Sequence, residues 1–199
     1  MIVIGTLLAV ASLALTTVAV SRGAAHSGER LRIGGILYAT ISAAALLAAV
    51  AGCWIRGESG LAAVPALIAG GVSAYSDLET GYVFDYALLT GAALTIAIGL
   101  PFAMSWNELL GAAAGAALPL ALYVLTRGNA LGFGDVKLAA LLGTATGVAG
   151  SPIMLATSCI SGAIVGVFVL LFRRSRTHTM PFAPFLAVGA CVAVLGAPG

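Results

Sequence analysis

Charged residues punctuate this chain, and the stretches between them are almost wholly apolar. The uncharged runs are 1–21, 33–55, 59–76, 86–107, 109–126, 138–172 and 179–199. A helix that crosses a hydrocarbon core about 30 Å thick needs about 20 such residues, within a range of roughly 17–25. Six of the seven runs therefore predict one crossing each. The run 138–172 holds 35 residues, about 52 Å of helix at about 1.5 Å per residue, too long for one crossing. Gly147, Gly150 and Pro152 lie inside it and can form a turn. Dividing the run there predicts eight helices.

Eight crossings with both ends outside place the inside loops near 22–32, 76–85, 127–137 and 173–178. Those loops hold Arg22, Arg30, Arg32, Arg127, Lys137, Arg173, Arg174 and Arg176, and only Arg56 falls outside. Eight of nine basic residues on one face is the bias expected of cytoplasmic loops. Leaving 138–172 undivided would put the three-arginine cluster outside, so charge and length favour the same division.

Composition agrees. The chain has 199 residues, 61% hydrophobic and 8% charged, with mean hydropathy +1.11. A soluble domain carries about 25% charged residues. An ordinary soluble enzyme and a disordered chain are excluded, as is a nucleic-acid binder of the basic-patch kind. The sequence predicts an all-α polytopic membrane protein. Residues 1–21 have no basic segment before their apolar run, and the first charge is Arg22. That run reads as a retained helix rather than a cleaved signal. Cys53, Cys159 and Cys191 stand alone and read as small apolar residues. His26 and His178 fall in loops and suggest no metal site. Gly111 with Gly115, and Gly162 with Gly166, make two GxxxG pairs, signals for close helix packing.

Candidate chemistry lies among the acids. Asp77 follows an apolar run ending in Ala74-Tyr75-Ser76, and Asp135 opens another in Leu131-Gly132-Phe133-Gly134-Asp135-Val136-Lys137. The topology puts both on one membrane face. Acids at a membrane edge are functional candidates, although a helix cap or interfacial charge would look alike. Two carboxyls sharing one proton cannot both ionise cheaply. One can then activate a water as general base while the other donates a proton to a scissile carbonyl. Glycines beside Asp135 allow close approach of backbone or substrate.

Gly132-Phe133-Gly134-Asp135-Val136-Lys137-Leu138 resembles the GxGD segment of the type IV prepilin peptidases and preflagellin peptidases. The stretch from Ser76 to Asp85 resembles that family's first aspartate motif. Met180-Pro181-Phe182-Ala183-Pro184-Phe185-Leu186 resembles its Pro-Phe-Gly-Pro-Phe-Leu segment. The three blocks stand in the family's order and cover residues 61–199. Two departures are Phe84 where the family often has Pro, and Ala183 where Gly is usual.

The resemblance implies a membrane aspartic endopeptidase with Asp77 and Asp135 as its catalytic pair. It would remove the basic leader of type IV prepilins or related class III signal peptides at the cytoplasmic face of the cell membrane. No metal and no organic cofactor are implied. Glu79, Asp85, Gly132, Gly134, Lys137, Pro181 and Pro184 are the candidate substrate-binding residues. Expected partners are a prepilin-like membrane protein and lipid, with no nucleic acid, and the oligomeric state stays open. The chain divides into two helices over 1–58 with no assigned role and a six-helix peptidase core over 59–199. The larger bacterial enzymes carry paired CxxC motifs and methylate the new terminus; this sequence has no such pairs, so peptidase activity without methyl transfer is expected. The alternative is a small proton- or cation-coupled transporter using Asp77 and Asp135. The loop after the third helix carries Asp77, Glu79 and Asp85 and no Lys or Arg, an acidic patch suited to a basic leader.

Overall fold

The computed structural model describes residues 2–27, 35–100, 105–173 and 180–196. Every regular element in them is a helix: α1 (Ile2–Ser27), α2 (Ile36–Arg56), α3 (Glu58–Thr80), α4 (Asp85–Gly99), α5 (Trp106–Thr126), α6 (Phe133–Arg173) and α7 (Ala183–Gly196). The backbone of α6 breaks at Gly147, where φ is 68° and ψ −178°. A side chain there would be strained, and the break divides α6 into limbs 133–146 and 148–173. The expected eight helical segments are therefore present. Pro152 is the fifth residue of the second limb, just past its first turn, so the break at Gly147 lies close upstream of a residue that cannot continue the hydrogen-bond ladder of a longer helix. The chain is a polytopic helical membrane protein. Helices α1, α2, α3, α5 and α6 are long and apolar enough to span a bilayer, and α4 and α7 are shorter, at 15 and 14 residues.

Helix edges differ from those drawn at charges. Helix α1 continues past Arg22 to Ser27, α3 continues to Thr80, and α6 starts at Phe133 rather than 138. A charge is costly only where its head group faces hydrocarbon. At a bundle end the side chain can reach water while the backbone goes on hydrogen bonding. The run 86–107 does not form one helix: α4 stops at Gly99. Glu108 is no helix break but half of a capping box, in which its carboxylate accepts the Ser105 N–H at 2.6 Å. Glu29, Arg30, Arg32, Arg174, Arg176 and His178 lie outside the described residues.

Helix α3 is the hub. It packs against α1, α2, α4, α6 and α7, and 89% of its spanning window is buried, against 17–33% for the other four spans. It is also the least hydropathic of the five, at 1.4. Lipid-facing helices must be apolar outward, whereas a helix enclosed by protein can carry Gly70, Gly71, Ser73 and Ser76 for close packing. Ala9 of α1 and Ala45, Ala49 and Cys53 of α2 belong to the same core as Leu61, Leu138, Leu142 and Leu186. The first two helices are thus packed into the main core.

The two GxxxG pairs separate in the structure. Gly111 and Gly115 lie against the backbone of the first limb of α6, where a Cβ would overlap the carbonyls of Gly143 and Ala139. A Cβ on Gly162 would stand 3.6 Å from the rings of Phe182 and Phe185, an ordinary contact distance. Only the first pair is a seam of close helix approach.

Candidate active site

Helix α3 delivers Asp77 in its last turn. Gly81, at φ 73°, ends the helix with its N–H donating to the Asp77 carbonyl at 2.8 Å. Ser76 is buried, and its hydroxyl donates to the Ser73 carbonyl at 2.9 Å and to the Tyr82 carbonyl at 3.2 Å. The turn after Asp77 is therefore pinned back onto the helix. The Asp77 side chain is 6% exposed. Its Oδ2 accepts the N–H of Ala183 at 3.0 Å, and the Phe182 backbone also bonds to it. Asp77 thus satisfies the first donors of α7, which a helix cannot satisfy itself. This is how the third sequence block reaches the site.

Asp135 stands in the first turn of α6, its N–H donating to the Gly132 carbonyl at 3.1 Å. Its Oδ1 is buried without a hydrogen-bond partner, and the carboxyl is an electrostatic neighbour of Asp77. The two candidate acids, from separate helices, therefore lie within electrostatic reach of each other at one end of the bundle. Gly134 faces Val83, whose Cβ lies 3.1 Å from where a Gly134 Cβ would stand. The connection between α3 and α4 is thereby close to the start of α6. Gly132 is exposed, and a Cβ there would stand 3.5 Å from Asp135 Oδ2.

The remaining candidates scatter around this pair. Glu79 is exposed. Asp85 and Lys137 form an ion pair at 2.7 Å, with side chains 59% and 40% exposed, and the Lys137 ammonium also lies 5.2 Å from the Phe133 ring centroid. The acid and base that the sequence offers as separate substrate contacts are thus partners of each other. Pro181 lines a cavity of about 510 Å³ with Leu131, Met180 and Phe182. Pro184 lines a groove on another side of α7, with Leu37, Ile41 and Leu78. Among the described residues no group of three or more His, Cys, Asp or Glu is arranged for a metal ion. Sequence reasoning missed Ser76 and the Ala183 N–H. The only trace of the latter is Pro184, which lacks an N–H of its own and leaves Ala183 as a donor at the helix start.

Fold and site together define a multi-pass helical membrane protein with two electrostatically coupled carboxyls at one end of its bundle. The family model described as the type IV leader peptidase family matches residues 61–167, more than half of the chain, and the chain belongs to that family. It is 42% identical over 73 residues to a prepilin leader peptidase/N-methyltransferase of Pseudomonas putida, covering 36% of this chain and 25% of that protein. It is 34% identical over 113 residues to a protein of the same name from Aeromonas hydrophila, covering 54% and 39%. The corresponding Burkholderia pseudomallei protein is 34% identical over 130 residues, covering 61% and 42%. The chain spans less than half the length of each of these relatives. No solved structure matches it.

Proposed function

We propose that this chain is a membrane aspartic endopeptidase that removes the basic leader from type IV prepilins or related class III signal peptides at the cytoplasmic face. The observation that carries the reading is that Asp77, at the end of α3, and Asp135, at the start of α6, lie within electrostatic reach of each other. The family membership and the names of its relatives support the substrate class. One carboxylate takes a proton from a water, whose oxygen attacks the scissile carbonyl carbon, while the other carboxylic acid protonates the carbonyl oxygen. Collapse of the tetrahedral intermediate breaks the C–N bond, and the departing amine takes a proton from the pair. Neither step needs a metal.

The cytoplasmic orientation rests on charge. Arg22, Arg127 and Lys137 lie at the helix ends nearest the aspartates, whereas Arg56 lies at the other end of α2 from there. Glu79 is the acid we assign to the leader's basic residues, because Asp85 is already engaged by Lys137. Gly132 leaves Asp135 accessible to an extended peptide, Gly134 seats the Val83 turn, and Pro181 and Pro184 flank the helix start that Asp77 holds. Hydrolysis alone is assigned to these residues, with the core over 59–199 and lipid around it. The test is co-expression with a candidate prepilin and a gel that follows loss of the leader. Accumulation of the shortened prepilin supports the reading, and an unchanged precursor beside a well-expressed enzyme contradicts it.

A further inference from the structure

Arg56 is the last residue of α2, and Gly57 alone joins it to α3. It ends a candidate membrane span and is half-buried. Its guanidinium forks between two helices: Nη1 donates to the Ala145 carbonyl at 2.9 Å and Nη2 to the Ala193 carbonyl at 3.5 Å. Ala145 lies in the last turn of the first limb of α6, and Ala193 in the last turn of α7. Both carbonyls fall among those that a helix leaves unpaired, at the negative end of its dipole. Glu108 is a nearby counter-charge.

Three helices build the aspartate pair: α3 carries Asp77, the first limb of α6 carries Asp135, and α7 offers the Ala183 N–H that orients Asp77. Arg56 is joined to the first by the chain and to the other two by hydrogen bonds. From Ala145 to Asp135, and from Ala193 to Ala183, is in each case about 15 Å of helix at about 1.5 Å per residue. A helix that slides or tilts at the Arg56 end therefore moves a site residue at the other. We propose that Arg56 is a positioning residue for the Asp77–Asp135 pair, fixing the first limb of α6 and α7 against each other from across the bundle. The inference rests on the aspartic peptidase reading, and it gives the amino-terminal helix pair a part in the reaction.

The test uses the full chain with Arg56→Ala and Arg56→Lys, each assayed on a prepilin under conditions where the protein is folded. A misplacement of about 1 Å costs about 100-fold in rate. Arg56→Ala should lower kcat by about that factor with KM within about twofold. Arg56→Lys, with a cation but no fork, should recover part of the loss. A second measurement is independent of activity. Spin labels at Phe133→Cys and Val188→Cys, in a chain whose three native cysteines are replaced by Ala, report the spacing of α6 and α7. Arg56→Ala should broaden or shift that distance distribution, and Arg56→Lys should narrow it again. An unchanged distribution, or unchanged kcat in folded Arg56→Ala, overturns the positioning role, as does equal loss in both variants. A shifted distribution with active Asp77→Asn enzyme would instead locate the failure in the aspartic reading.

Discussion

Asp77 holds the first turn of a helix that begins 106 residues further along the chain. The bond uses one carboxyl oxygen, Oδ2, as a cap on α7. Asp77→Asn keeps the shape and one carbonyl acceptor, so it should leave the fold near intact while removing the carboxylate that the proposed mechanism uses. Glu79 makes a softer prediction. It is exposed, and an exposed pair is worth about 0.2–1 kcal/mol. Glu79→Lys should therefore raise KM for a basic-leader prepilin by about two- to fivefold, an effect that shrinks between low and moderate salt. A KM that does not move at low salt removes Glu79 from leader binding. Asp85→Lys should behave differently, because it sets two lysines side by side and frees Lys137 from its partner.

The two GxxxG pairs look alike in sequence and part company as elements. A Cβ on Gly111 would strike the Gly143 carbonyl and the Gly147 backbone, atoms that cannot turn away. Gly111→Ala should cost about 1–3 kcal/mol, the usual penalty of overpacking. Gly162→Ala meets only rings at ordinary distance and should stay within about 0.5 kcal/mol. Thermal unfolding in one detergent measures both, and equal losses would contradict the seam. Helix existence was legible because apolar runs must match a bilayer, and the break at Gly147 followed from length and charge together. Helix ends were not legible from charges alone, since Arg22, Asp77 and Asp135 all lie within helical turns. The two aspartates could be found because their motifs are local. The Asp85–Lys137 pair, the Ser76 pin and the Asp77–Ala183 bond join residues whose meeting depends on how the helices pack, and no local pattern encodes that. Arg56, in sequence only a stray charge outside, is for the same reason a fork between two helix ends.

At the scale of the molecule, an enclosed and comparatively polar α3 runs through a shell of lipid-facing helices, with its carboxyl end exposed to a site made by α6 and α7. The proposed hydrolysis would then take place at the membrane edge, where water and an extended peptide can both reach the aspartates. With the proposed cytoplasmic orientation, a cysteine-reactive, membrane-impermeant reagent should label Glu79→Cys in inverted vesicles and not in intact cells; the reverse pattern would place the site on the other face. The central claim is the two-carboxyl mechanism, and single-residue replacement tests it most directly. Asp77→Asn and Asp135→Asn should each reach the membrane at the parent level and each leave a co-expressed prepilin at precursor length, with processing lowered at least about 100-fold, as for a lost general acid or base. Full processing by either variant would contradict the account.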